Sequence, residues 1–294
     1  VNFILNVLLG IFLFSCDGNV KKQAHDVQEE TSVATIAIEE TPSAKKDSLV
    51  KPPVKLVSVQ QKVQTKPEAQ KPTSQPKIVS PDQTIWASLL EEYVDDMGNV
   101  NYSGIKDDIA KLDAYLAKMA QNSPANNWTK NEKLAYYINL YNAATVKLIV
   151  DHYPVKSIKD IPNRWKKKWI KVGSETTSLN DIEHEVLRKM NEPRIHFAIN
   201  CASYSCPKLL NVPFTPQSME RLLTKTAVDF VNDKTRNRFG DGFAQLSRIF
   251  KWYKGDFTEN GKLLDYINQY LDNPIGKNSK IEYLDYDWSL NEAK

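Results

Sequence analysis

Between Arg194 and Pro207 the chain reads Arg194-Ile195-His196-Phe197-Ala198-Ile199-Asn200-Cys201-Ala202-Ser203-Tyr204-Ser205-Cys206-Pro207, which holds one of its four histidines and two of its three cysteines. A thiol becomes a good nucleophile near neutral pH when a neighbour takes or displaces its proton. An apolar run that carries His196 and leads into Cys201 therefore reads as a nucleophile site. It reads equally as a buried strand closed by a Cys201–Cys206 disulfide.

Upstream, Glu183 and His184 add a carboxylate and a second imidazole. Acyl transfer needs an imidazole to draw the thiol proton, a thiolate to attack a carbonyl, and a carboxylate or amide to orient the ring. The candidate catalytic set is Cys201 as nucleophile, His184 or His196 as base, and Glu183 or Asn142 as the orienting group, with Asp256 and Asp287 as further choices. His184, His196, Cys201 and Cys206 are also zinc-type ligands. The four residues between the cysteines are a loose fit to structural zinc motifs and the histidine spacing fits none, so neither metal nor cofactor is expected.

The elements that must position these groups follow from periodicity and caps. Trp86, Leu89, Leu90 and Tyr93 recur at helical spacing over Ile85 to Val94, a turn and short strands reach Val100 and Tyr102, and Ile109, Leu112, Leu116 and Met119 mark a second helix. Thr129-Lys130-Asn131-Glu132 is a capping box opening a helix to about Val150 that is apolar nearly all round, hence central and buried. Asn139 and Asn142 lie on it, and a buried amide must find partners: it either ties a loop to the core or lines a site.

Further on, Ser178 caps a helix bearing Glu183 and His184, and alternation makes Ile195 to Asn200 a strand with His196, Ala198 and Asn200 on one face. A helix carries Met219 to Phe230. A hairpin turns at Gly240-Asp241-Gly242 into a strand ending at Leu246, a last helix spans Leu263 to Leu271, and a strand closes over Ile281 to Tyr286. The expectation is one helix-rich α+β domain around a buried central helix with a small, mainly antiparallel sheet.

The N-terminal third has another character. Phe3 to Ser15 is uncharged and apolar apart from Asn6 and Ser15, too short to span a bilayer and suited to a secretory signal ending at Cys16 as the lipidation site. Residues 17–82 are rich in proline, lysine, glutamine, threonine and glutamate and hold no aromatic residue, the composition of a disordered tether. Residues 83–294 make one domain. Their basic and acidic residues nearly cancel, like the whole chain's 39 and 36, so no nucleic-acid partner is expected. In an oxidising envelope compartment a Cys201–Cys206 disulfide becomes available.

Several segments together resemble the domain of unknown function 547 family: His196 to Pro207, Tyr137-Ile138-Asn139-Leu140-Tyr141-Asn142-Ala143, Tyr153-Pro154-Val155-Lys156-Ser157-Ile158, Ile182 to Arg188, Phe250 to Tyr253 with Asp256-Phe257, and Tyr286-Asp287-Trp288. The resemblance implies an exported or lipid-anchored bacterial protein and no particular activity. Cys201 matches the family pattern, whereas some members carry serine at the position of Cys206, which favours Cys201 as the nucleophile. Ala202 and Ser203 depart from the pattern's glycine and small residue. The resulting expectation is an envelope-tethered cysteine hydrolase or acyl transferase of papain-like or transglutaminase-like logic, anchored to a membrane and acting on a peptide or cell-wall polymer. The alternative is a non-catalytic binding or scaffold domain with a structural cysteine pair.

Overall fold

The computed structural model describes residues 81–293. The signal segment and Cys16, and the tether but for its last two positions, lie outside the described residues. The described part is a helix-rich α+β domain. Four helices come first: α1 (Thr84–Tyr93), α2 (Tyr102–Asp107), α3 (Ile109–Gln121) and α4 (Lys130–His152). Strands β1 (Ile170–Val172) and β2 (Glu175–Thr177) form an antiparallel ribbon. Helix α5 (Leu179–Asp181) continues as a π-helical turn over Ile182–Leu187 and a 3-10 turn over Arg188–Met190. Then come α6 (Met219–Asn232), β3 (Arg238–Gly240), β4 (Phe243–Leu246), α7 (Ile249–Trp252), α8 (Lys254–Phe257), α9 (Leu263–Ile267) and β5 (Lys280–Tyr283).

Helix α4 is the axis. Thr129 accepts from the Glu132 N–H at its start while Glu132 accepts from the Thr129 N–H at 2.7 Å, the reciprocal cap expected from the sequence. Its apolar side chains are buried on almost every side, from Leu134 to Val150. Each large one removed from water stabilises the fold by roughly 1.5–3 kcal/mol before ordering costs. Buried residues of α1, α2, α3 and α6 complete this first core.

A second, aromatic core joins Phe197, Phe230, Phe250 and Phe257, with Phe197 stacked on Phe257 at 5.6 Å between ring centroids. Between the two cores runs the segment that holds His196. It is a 3-10 helix over Pro193–Phe197, not the strand expected from alternation. Alternation requires one wet face, and Ile195 through Asn200 are all buried. Ile195, Ala198 and Ile199 pack into the first core and Phe197 into the second. Pro193 suits a helical first turn, and the Glu192 side chain caps the Arg194 N–H at 3.3 Å.

Other elements are shorter or differently paired than periodicity suggests. Val94 and Val100 meet only as an isolated bridge, and Tyr102 starts α2. Helix α9 stops at Ile267 because the Asn268 amide turns the chain, bonding both the N–H and the C=O of Ile275 at 2.9 Å. The closing strand ends at Tyr283. In the three-stranded sheet β3 pairs antiparallel with β4, but β5 lies parallel to β4, so that sheet is mixed.

The two buried amides on α4 both clamp loops. Asn139 donates to the Phe214 carbonyl at 2.7 Å and accepts from the Phe214 N–H at 3.0 Å. Asn142 donates to the Ala198 carbonyl at 3.0 Å and accepts from the Asn200 N–H at 2.8 Å. Each amide acts as a stand-in for a neighbouring strand edge. Truncating Asn142 to Ala leaves two buried backbone groups without partners and is expected to cost about 2–4 kcal/mol, measured as a fall in the urea midpoint at unchanged slope.

Candidate functional site

A cavity of about 260 Å³ opens where α4, the π-helical turn, the loop after Phe197 and the C-terminal segment converge. Its wall includes Glu183, His184, His196, Cys201 and Cys206, so five of the residues singled out by type and spacing meet there. Six aromatic side chains line much of the rest: Tyr141, Trp165, Trp252, Tyr253, Tyr286 and Trp288. Asn142 is not in the wall. Its amide is spent on the Ala198–Asn200 backbone and touches neither imidazole, so it positions the cysteine loop and does not orient a base.

The π-helical turn packs one extra residue into its turn, as such turns often do at functional sites. Glu183 faces inward and is buried, accepting from Tyr141 Oη at 3.1 Å and from Tyr253 Oη. That carboxylate meets two phenols and no imidazole. His184 Nδ1 lies 3.0 Å from Arg188 Nη1. A guanidinium only donates, so Nδ1 must accept, and the neutral ring carries its proton on Nε2. His184 thus faces the cavity as a donor.

His196 is held differently. Its Nε2 lies 2.8 Å from Asp256 Oδ2, its ring stacks on Tyr253 at 3.9 Å, and Phe257 meets its edge at 5.4 Å. Asp256 is itself clamped by Arg188, with Nε to Oδ2 at 2.7 Å and Nη2 to Oδ1 at 2.6 Å. Burial works against ionising Asp256, but the hydrogen bonds from Arg188 and His196 outweigh it and hold the carboxyl well below the usual range. Facing a carboxylate, Nε2 carries the proton. Nδ1 is buried without a partner and keeps its lone pair. Burial pushes the His196 pKa below its ordinary value despite the bond to Asp256, so the ring is neutral and basic at Nδ1.

Cys201 is partly exposed, at the start of a tight turn. Asn200 shapes that turn, accepting from the Ala202 N–H and donating to the Pro207 carbonyl, both at 2.7 Å. Ala202 has φ 59°, in the left-handed region that glycine enters without strain. Cys201 Sγ makes no hydrogen bond to either imidazole. It sits 2.6 Å from Cys206 Sγ, 3.0 Å from Ser203 Oγ and 3.4 Å from Tyr286 Oη. The two cysteines are free thiols, and the Cys201 N–H points at Cys206 Sγ from 2.9 Å.

These neighbours set the protonation. Hydrogen bonding from the Cys206 thiol lowers the Cys201 pKa; burial opposes this, and the Ser203 and Tyr286 hydroxyls reinforce it. Burial raises the Cys206 pKa, which keeps that thiol protonated as the donor. Ionisation of Cys201 is therefore favoured by hydrogen-bond donors, not by a histidine.

Asp256, Arg188, Tyr253 and Tyr286 complete the site. Asp256 is one of four carboxylate or amide candidates by type, and no local spacing ties it to His196, from which it is 60 residues distant. Asp287 bonds its own turn through Ser289 and lies away from the imidazoles. His152 ends α4 with Nδ1 on the Leu148 carbonyl. Among the described residues, no group of three or more His, Cys, Asp or Glu side chains is arranged to hold a metal ion.

A depressed thiol pKa gives a reactive thiolate at lower pH. The rate of Cys201 alkylation by iodoacetamide should reach its half-maximum below about pH 8.5, the midpoint of an ordinary cysteine. Cys206→Ala, which removes the first donor, should move that midpoint upward.

No curated protein and no solved structure matches this chain. Residues 125–231, which run from just before the capped start of α4 nearly to the end of α6 and include Asn142, Glu183, His184, His196, Cys201 and Cys206, match the model of the family described as a protein of unknown function, DUF547.

Proposed function

We propose that the domain is a cysteine-dependent hydrolase or acyl transferase acting on an amide or peptide-like carbonyl, with Cys201 as nucleophile and His196, oriented by Asp256, as base. The observation that carries this reading is the shared cavity wall. A thiol whose ionisation is favoured by three neighbouring donors lies in the same wall as an imidazole with one nitrogen bound to a clamped carboxylate and the other enclosed without a partner. The roles divide as the hydrogen bonds do. Because Cys206, Ser203 and Tyr286 already favour the thiolate, His196 is left to take a proton at Nδ1 from the acyl acceptor, water or an amine, as it attacks the thioester, a step that requires the acceptor to open the packing that encloses Nδ1 at rest. His184, with its proton on Nε2, is a hydrogen-bond donor to substrate.

The setting belongs to the same proposal. The apolar run Phe3 to Ser15 before Cys16 supports a lipid-anchored envelope protein, with residues 17–82 as the tether that holds the domain off the membrane. A peptide or cell-wall polymer is then the accessible substrate. Cys16→Ala should abolish incorporation of a labelled fatty acid into the expressed full-length precursor.

The reading is tested by intact mass after mixing with a small activated ester. Wild type should turn over. His196→Ala should retain the acyl group on Cys201 and lose turnover by on the order of 10²-fold or more, and Cys201→Ala should take up no acyl group. Turnover by His196→Ala at the wild-type rate would remove the histidine from the mechanism. Turnover by Cys201→Ala would remove the thiol.

A further inference from the structure

An acyl transfer at Cys201 creates a negative charge on the carbonyl oxygen, and something must receive it. Stabilising such an oxyanion usually needs two donors aimed at where the charge develops. Around this thiol the backbone is almost fully committed. The Cys201 N–H goes to Cys206 Sγ and the Ala202 N–H to Asn200 Oδ1. The Tyr204, Ser205 and Cys206 N–H groups go to the carbonyls of Ser289, Asp287 and Ser203. The Ser203 N–H is left out of these bonds, but its residue is completely buried and away from the cavity wall. The backbone of this turn thus offers the cavity no donor.

Side chains must supply the donors. The Ser203 hydroxyl touches the sulfur, but the residue is completely buried and does not line the cavity. Tyr141 and Tyr253 donate to Glu183. Tyr286 is different: it lines the cavity, and its Oη is 3.4 Å from Cys201 Sγ and 3.0 Å from Ser203 Oγ. Its ring packs in a three-ring cluster with Trp252 and Trp288, at 4.8 and 4.6 Å between centroids, so the hydroxyl is aimed before any substrate arrives.

We propose that Tyr286 is a catalytic residue of this reaction, a side-chain donor to the oxyanion. The inference rests on the acyl-transfer reading. At rest the Tyr286 hydroxyl faces the Cys201 sulfur. As the C–S bond forms, the carbonyl electron pair moves to oxygen and the charge leaves sulfur. The Tyr286 O–H then follows it, keeping its own proton. Collapse re-forms the C=O as the bond to the leaving group breaks. With an aryl ester the leaving group departs as a phenolate, so the step is balanced without a further proton.

Two reactions of the same thiol separate this role from simple thiolate stabilisation. Acylation by p-nitrophenyl acetate passes through an oxyanion, whereas alkylation by iodoacetamide is a displacement at a saturated carbon and does not. Tyr286→Phe keeps the ring packed against its two tryptophans and removes only the hydroxyl. Measured above the thiol pKa of both proteins, its acylation rate constant should fall on the order of 10²-fold, carried in the maximal rate and not in KM, while its alkylation rate does not fall. Equal losses in both reactions, or no loss in acylation, overturn the assignment of Tyr286 and leave the acyl-transfer reading standing. A wild-type domain that alkylates but never acylates overturns both.

Discussion

A carboxamide on a helix with no polar face holds the chain where the nucleophile leaves the core. Asn142 lies in the middle of α4, surrounded by residues that exclude water, and its two polar ends are matched by the Ala198 carbonyl and the Asn200 N–H. Neither partner has water to fall back on, so the match is obligatory. Once it is made, the Pro193–Phe197 turn must enter between the two cores and Cys201 must emerge beside the cavity. Asn200 then repeats the device one step further out, turning the chain through the left-handed Ala202.

The charged part of the site is similarly over-determined. Asp256 receives Arg188 through two bonds and His196 through a third, and Arg188 reaches on to His184. Since the Arg188 cation and the Asp256 anion are paired, His196 needs no charge to be held in place. A neutral imidazole with one nitrogen anchored is a base whose direction is set by packing against Tyr253 and Phe257. Glu183 stands apart from this chain of contacts, with phenols as its partners. Its contribution is to fix Tyr141 and Tyr253, the latter being the platform on which His196 stacks.

Preparation of the thiolate belongs to a third group of contacts. Cys206, Ser203 and Tyr286 bring donors to one sulfur, and two of them, Cys206 and Ser203, come from the same five-residue turn. The third arrives from the C-terminal segment, which is stitched across the turn by the bonds of Tyr204 and Ser205 N–H to Ser289 and Asp287. The same segment reaches the first elements of the domain, where Asn291 accepts from Tyr102 and donates to the Gly98 carbonyl. The last residues of the fold therefore close the site and also tie it to α2.

What could be read along the chain was whatever depends on near neighbours. The capping box of α4, its all-round burial, the Ser178 cap, the hairpin at Gly240 to Gly242 and the helical period of α1, α3 and α6 are local, because caps and periodicity act within one or two turns. The reactive types, Cys201, His196, Glu183 and His184, were also visible, since chemistry names them wherever they fall. Tertiary structure decided everything that needs two distant segments. Alternation suggested a strand at Ile195 to Asn200 because apolar residues on both sides of a chain look the same whether they face one core or two. Asp256 and Tyr286 lie 60 and 85 residues from the groups they serve, and no period links them. By itself the sequence determined which side chains could react and where the helices begin; only the packing of two cores around a buried turn decided which carboxylate holds the imidazole and which donors hold the thiolate, because hydrogen bonds answer to distance in space and not to distance along the chain.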